Sequence, residues 1–282
     1  MHPYHDHQIM HIHSIQLLIQ HIPRSLAFYQ DILGFHVIFQ DDHQVQLSAD
    51  GKSPIITLIK DDHALPLSIT QGLYHAAILL PSRSALADVI QQLADKRYPI
   101  SGASDHGVSE AIYLDDPDGN GLEIYRDRPK DEWPSQDGHL DMYTKSLDLN
   151  DLMNHRSNQP YQSIDAHAII GHLHFHVPHL KQAEDFYCKA LGFTPMLLFM
   201  KSALFISDGG YHHHLGLNTW NGDAPLRKER QVGLIGYELM VPQACYVDFI
   251  NRLRDAHISL IVEDDIRYLM DPLNQKCIIH VV

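Results

Sequence analysis

The sequence predicts an α+β fold: four βαβββ modules forming two open, β-barrel-like domains related by pseudo-symmetry. Three observations carry this expectation. Residues 21–35, HIPRSLAFYQDILGF, match residues 179–193, HLKQAEDFYCKALGF, at a constant offset of 158, with His, Phe-Tyr and Leu-Gly-Phe identical. Residues 72–81, GLYHAAILLP, match residues 233–242, GLIGYELMVP, and Asp116-Pro117 is matched by Asp271-Pro272. Each half also divides again, because every quarter runs from an apolar alternating stretch through an amphipathic helical one into short strand-like runs.

In chain order, the opening strands are expected over residues 9–19, 73–80, 169–177 and 232–241, and the helices near 23–33, 83–97, 180–190 and 243–256. Gly34 and Gly192 sit where a helix needs a C-terminal glycine before the chain turns into a strand. The quarters group as residues 9–127 and 166–282, with a linker over 128–165 that is rich in Asp, Ser, Asn and Pro. One short helix is expected in it, around residues 146–154. The linker is longer than a simple connection and is expected to wrap round the outside, leaving the quarters free in how they pair.

Composition narrows the function classes. A chain of 282 residues with 44% hydrophobic content builds about two domains of ordinary size and is not disordered. Its net charge of −14 gives no surface suited to phosphate backbones, so nucleic acid is not expected as a partner. No apolar run reaches the roughly 18 residues of a membrane span, and the polar, His-rich N-terminal stretch lacks the apolar segment of a secretory signal. Cys188, Cys245 and Cys277 are odd in number and far apart, which fits a reducing cytoplasm rather than a disulfide framework. The 23 histidines are the unusual feature. Most must be bystanders, and those at positions 2, 5, 7, 11 and 13 are expected to form a solvent-facing tail.

The segment richest in chemistry is 106–123, HGVSEAIYLDDPDGNGLE. Asp116-Pro117-Asp118-Gly119-Asn120 is a strong turn, since Pro fixes φ while Gly and Asn tolerate left-handed geometry. It lacks the acidic spacing of a calcium loop. On the strand that follows, alternation sends Glu123 to the face opposite Leu122 and Ile124. A carboxylate there needs a partner or a metal. His75 opens one strand, and His172, His174 and His176 share one face of another. Two imidazoles and one carboxylate from three strands can build the facial triad of non-haem Fe(II) oxygenases.

The βαβββ repeats with these residues resemble the vicinal oxygen chelate superfamily, which groups glyoxalases, bleomycin resistance proteins and extradiol dioxygenases. His106-x5-Ile112-Tyr113-x2-Asp116-Pro117-x-Gly119-x3-Glu123 resembles the extradiol ring-cleavage signature, departing from it at Ser104. The stretches GLYHAAILLP, SEAIYLDDPDGNGLEIY and GGYHHHLGLNTW are similar to the bacillus-type catechol-2,3-dioxygenase group.

The resemblance implies that His75, His172 and Glu123 bind Fe(II), with Mn(II) the alternative ion. It places His106 and Tyr113 in the substrate pocket, and an acid/base histidine in the run His212-His213-His214-Leu215-Gly216, where the register selects His213. The activity so implied is Fe(II)-dependent extradiol cleavage of catechol or a substituted catechol by O2, in a cytoplasmic homo-oligomer that binds neither nucleic acid nor membrane. A glyoxalase-like metal-dependent isomerase or lyase would need a second carboxylate, and residues 211–220 contain none. A non-catalytic resistance protein would need no metal set.

The ligand positions are unevenly distributed. Gly236 and Ile278 occupy the fourth-quarter positions matching His75 and Glu123, and Ser14 the first-quarter position matching His172. The triad therefore closes only if the second and third quarters share a barrel, which leaves the first and fourth to form a barrel without metal.

Overall fold

The computed structural model describes residues 2–282. The first quarter comprises β1 (His11–Ile19), α1 (Ile22–Tyr29), β2 (His36–Gln40), β3 (Gln44–Ser48) and β4 (Ile56–Lys60). The second comprises β5 (Gly72–Leu80), α2 (Arg83–Asp95), β6 (Gly102–Asp105), β7 (Ser109–Asp115) and β8 (Gly121–Asp127). The linker carries the hairpin β9 (Ser135–Gln136) and β10 (His139–Leu140), then β11 (Lys145–Ser146) and α3 (Leu149–Met153). In the third quarter, β12 (Ile169–His176) precedes α4 (Leu180–Glu184), which continues as a π-helical stretch over Asp185–Leu191, then β13 (Thr194–Phe199), β14 (Ala203–Ser207) and β15 (Leu215–Asn218). The fourth comprises β16 (Gly233–Val241), α5 (Tyr246–Asp255), β17 (Ile261–Glu263), β18 (Ile266–Met270) and β19 (Lys276–Val281).

Each quarter is thus a βαβββ unit. The strands assemble into two large sheets, ordered β17-β18-β19-β16-β1-β4-β3-β2 and β11-β6-β7-β8-β5-β12-β15-β14-β13. At the centre of each, two opening strands run antiparallel: β1 with β16, and β5 with β12. The second and third quarters therefore supply the nine-stranded sheet, with β11 of the linker at its edge, and the first and fourth supply the other. Among the described residues no helix is long and apolar enough to cross a membrane.

Period-two alternation divides the faces. On β5, Ala76, Ile78 and Leu80 enter the main core, whereas His75, Ala77 and Leu79 face the other way, the last two in a small cluster with Ala111 and Tyr125. On β12, Leu173 and Phe175 are core residues and the histidines between them take the opposite face. Helices pack within halves rather than within sheets: Gln92 Nε2 on α2 donates to Ile32 O after α1 at 3.2 Å, and Arg252 Nη2 on α5 donates to Leu191 O at 2.9 Å. Each helix pair so links the two sheets.

The duplicated Phe-Tyr motif has a structural purpose. The Tyr29 hydroxyl donates to Asp116 Oδ2 at 3.0 Å, and its repeat partner Tyr187 donates to Asp271 Oδ2 at 2.9 Å. The other carboxylate oxygen closes each Asp-Pro turn, Asp116 Oδ1 accepting from the Asp118 and Asn120 amides and Asp271 Oδ1 from those of Leu273 and Gln275. These bonds hold the turn before β8, and so the start of the strand that bears Glu123.

Three expectations need correction. α1 ends at Tyr29, and residues 30–33 form a turn into Gly34 (φ +80°), over which the linker passes so closely that a Cβ would lie 2.7 Å from Ser163 Cα. The N-terminal histidines are not all solvent-facing: His11 is buried, and the half-buried His5 donates from Nε2 to Gly171 O at 2.9 Å while its ring packs on Tyr211 and His214. Backbone groups needing partners draw this polar stretch onto the sheet. The linker, finally, is not confined to the outside, since residues 142–144 reach the main cavity.

Burial pushes the Asp271 carboxyl up to about 6, against 3.8 for an ordinary aspartate, although the Gln275 amide and the Tyr187 hydroxyl favour its ionised form. The folded chain then holds a proton that the unfolded chain has released, so this group's stabilisation is full below about pH 4 and lost as the pH rises through 6. Asp271→Asn, which keeps an acceptor for both turn amides, should flatten that part of the profile. Urea unfolding of both proteins from pH 4 to 7 measures it, and identical profiles would refute the assignment.

Candidate metal centre and pocket

Three strands of the nine-stranded sheet aim side chains at one point. β5 and β8 pair in parallel with Ala77 beside Glu123, and β5 and β12 pair antiparallel with His174 beside His75, a register shift between Ile170 and His172 intervening. That shift falls at Gly171, where a Cβ would lie 2.0 Å from Tyr125 Oη. Only glycine fits there. The result brings His75 Nε2 to 3.0 Å and His172 Nε2 to 3.3 Å from the same carboxylate oxygen, Glu123 Oε2.

These distances are short enough for hydrogen bonds, yet His75 Nε2 and both ring nitrogens of His172 lack a hydrogen-bond partner. The nitrogens lie beside the oxygen but are misaligned with it. His75, Glu123 and His172 are all buried, with ligand atoms within 4.8 Å of one another, and they form the only such group of His, Cys, Asp or Glu among the described residues. Burial holds the His172 imidazole down at about 4, leaving it neutral with a lone pair to give. For Glu123 burial opposes ionisation, but His172 and His75 outweigh it and keep the carboxyl well below its usual range. Two imidazoles with orphaned nitrogens and a carboxylate around one point fit a divalent metal ion. Of the same-face alternatives, His176 Nδ1 is bonded to Asn218 Oδ1 at 2.7 Å, and His174, though its ring centroid lies 4.9 Å from that of His75 and its Nε2 has no partner, does not belong to the group of mutually close ligand atoms.

Beside this cluster opens a cavity of about 470 Å³, to which His75, Glu123, His106, Tyr113 and His213 all contribute. His106 Nδ1 donates to Tyr143 O at 3.1 Å, because a carbonyl only accepts, so Nε2 accepts the hydrogen bond of the Tyr113 hydroxyl at 2.7 Å. Burial first, and then the nearby Glu123, pushes the Tyr113 phenol well above its usual value, so it stays protonated.

The histidine run separates cleanly. His213 lines the cavity with its ring 4.1 Å from that of His172, and burial, reinforced by His172 and His212, keeps it neutral. His214 points away, its Nε2 donating to Tyr4 O and its Nδ1 accepting from the Asp208 amide. His212 is fully buried and bonds to Asp127 and His213. Sequence reasoning missed further residues. Met142, Tyr143 and Thr144 of the linker, and Tyr74, Phe205 and Trp220, also line the cavity. Linker residues outside any periodic element carry no sequence signal of this. Asp127 could have been found, because it shares a strand face with Glu123 and Tyr125.

In the other sheet, the matching positions hold Ser14, Gly236 and Ile278, and Gly236 leaves no room for a ligand: a Cβ would lie 2.9 Å from Lys276 O. Within the nine-stranded sheet, the pseudo-symmetric counterpart of Glu123 is Gly216, paired with His174 as Glu123 is with Ala77. A side chain there would meet the His174 ring at 2.8 Å.

Comparison with known proteins agrees with this architecture. The profile of the Glyoxalase/Bleomycin resistance protein/Dioxygenase superfamily matches residues 11–124. The chain is 39% identical to a catechol-2,3-dioxygenase of Bacillus subtilis (strain 168) over 282 residues, covering 98% of this chain and 99% of that one. It is 32% identical over 109 residues to biphenyl-2,3-diol 1,2-dioxygenase 3 of Rhodococcus globerulus, covering 38% and 57% of the two chains. Among solved structures, glyoxalase I from Zea mays superposes with a TM-score of 0.58 at 13% identity, over 96% of this chain and 92% of the other. With a near full-length relative at this identity, the chain belongs to the glyoxalase/bleomycin resistance protein/dioxygenase superfamily.

Proposed function

We propose that this protein is an Fe(II)-dependent extradiol dioxygenase that opens the ring of catechol or a substituted catechol with O2. The observation that carries the reading is the set His75, Glu123 and His172, two imidazoles and one carboxylate converging at the wall of a cavity. The nearly full-length likeness to the Bacillus subtilis catechol-2,3-dioxygenase supports it. Fe(II) held by three protein ligands supplies open coordination positions and the electron transfer that couples a bound diol to O2. Mn(II) suits the same donors.

The protein's own groups do the rest. His213, neutral and facing the cavity, takes the proton of a substrate hydroxyl and later returns it to the product side. Tyr113 donates its one hydroxyl hydrogen to His106 Nε2 and so offers its oxygen as an acceptor for a diol hydroxyl, and because His106 is itself anchored on Tyr143 O the pair is oriented before substrate arrives. Phe205 and Trp220 offer aromatic surface to the ring. A glyoxalase-type reaction is disfavoured by Gly216, which stands where a second carboxylate ligand would be needed and has no space for one.

Anaerobic loading with Fe(II), followed by catechol and O2, should give a yellow ring-opened semialdehyde with one O2 consumed per ring. No O2 uptake with any simple catechol, from iron-loaded protein, would overturn the reading. His75→Ala and Glu123→Ala should each lose bound iron by elemental analysis. Mn(II) should raise the Tm of the parent but not of Glu123→Ala, since the variant lacks the carboxylate that completes the ligand set. His213→Asn should lower kcat roughly 10²- to 10⁴-fold, the usual contribution of a positioned acid/base, with iron content retained.

A further inference from the structure

His212 neither touches the cavity nor joins the metal cluster, yet it is fully buried with both ring nitrogens engaged. Its Nε2 lies 2.8 Å from Asp127 Oδ1, and its Nδ1 lies 2.7 Å from His213 Nδ1. Asp127 is held in turn by the Tyr211 hydroxyl, 3.0 Å from Oδ2 and 3.2 Å from Oδ1, and the Tyr211 hydroxyl also bonds that of Tyr125 at 2.8 Å. Tyr125 and Asp127 follow Glu123 at two-residue steps on β8. One face of one strand therefore carries a donor to the metal cluster, a hydroxyl and the anchoring carboxylate.

The proton positions in this chain follow from valence. A carboxylate accepts only, so His212 Nε2 carries a hydrogen and donates to Asp127. Where His212 carries that one hydrogen only, its Nδ1 presents a lone pair, which receives the hydrogen of His213 Nδ1. His213 is left with its lone pair on Nε2. In the opposite arrangement, His213 Nε2 would carry a hydrogen and the ring would have no basic atom left to offer the cavity.

Resting on the dioxygenase reading, we propose that Asp127 and His212 are positioning residues that fix His213 in the Nδ1–H tautomer and so keep Nε2 free to accept the proton of the substrate diol. Neither residue touches substrate. Without the Asp127 acceptor, His212 would bury an unsatisfied Nε2–H, at a cost of about 1–3 kcal/mol. Moving its hydrogen to Nδ1 avoids that cost and reverses the His213 tautomer.

Asp127→Leu, of similar size but with no acceptor, is the direct test. In iron-loaded protein its kcat should fall about 100-fold or more, the lower end of what a general base contributes, with KM within threefold of the parent and iron content unchanged. Asp127→Glu should restore most of the loss. His212→Phe, which removes the link from the other side, should reproduce it if Asp127→Leu folds poorly. A second readout needs no turnover: ¹⁵N-histidine spectra of the metal-free full-length chain, with His213 assigned by its absence in His213→Asn. These should show His213 protonated on Nδ1 in the parent and on Nε2 in Asp127→Leu. An unchanged tautomer, or a kcat within threefold of the parent in both variants, overturns the proposal. A parent that cleaves no catechol but shows the tautomer switch would refute the dioxygenase reading while leaving the orienting chain in place.

Discussion

The candidate centre depends on one pairing, β5 against β12. These strands come from different halves of a duplicated chain, and only their antiparallel hydrogen-bonded contact brings His75 to His172. Had the quarters paired in sequence order, the two imidazoles would lie on separate sheets and Glu123 would have one partner rather than two. The register is as constrained as the pairing. A slip of one residue would turn every side chain of β12 to the other face, placing histidines in the core and Leu173 and Phe175 in the cavity. The burial of those two apolar side chains therefore fixes the position of the polar ones between them.

Such a cluster opposes the stability of the fold that holds it. Buried imidazole nitrogens without partners each forfeit a hydrogen bond to water, worth about 1–3 kcal/mol, and the Glu123 carboxyl is buried beside them. The surrounding structure compensates with rigidity. The Asp116 turn ahead of β8 is closed by backbone amides and tied to α1 by Tyr29, so the strand bearing Glu123 enters the sheet at a fixed point. Gly171 lets Tyr125 pass at a distance no other residue permits. Donors held in place without mutual hydrogen bonds gain by taking up an ion, and that gain is the physical basis for coupling metal binding to stability.

Much of this was legible in the sequence, for reasons that differ from residue to residue. The Asp-Pro-Asp-Gly-Asn turn is local chemistry, and the position of Glu123 follows from it by strand alternation. The repeat exposed which quarters carry ligand-type residues, because Ser14, Gly236 and Ile278 stand out only when the quarters are aligned. Contacts distant in sequence were not legible. Asp127 and His212 are 85 positions apart, and nothing in either neighbourhood announces the other. The register to Leu215 selects His213 from the histidine run, and the neighbours are told apart from it only by distant partners, His212 by Asp127 and His214 by the Tyr4 carbonyl. The linker gave no period to read, so its part in the cavity wall was invisible. His5 reads as tail because its neighbourhood is polar, while its place on the sheet rests on its bond to the Gly171 carbonyl and its packing on Tyr211 and His214.

The same comparison bears on why a second sheet without ligands persists. The Tyr29–Asp116 and Tyr187–Asp271 bonds join quarters that lie in different sheets, and the helix pairs α1–α2 and α4–α5 do likewise. Each sheet is therefore braced by residues of the other. A lone nine-stranded sheet would expose the convex faces of β5, β8 and β12, whose Ile78, Ile124 and Phe175 belong to the same continuous core as Ile15 and Leu239 of the eight-stranded sheet. The eight-stranded sheet holds Ser14, Gly236 and Ile278 at the matching positions, with Gly236 against the Lys276 carbonyl, while its apolar positions fill the shared core. The two sheets so differ in content: one holds the candidate metal ligands, and the other supplies buried surface that keeps them fixed.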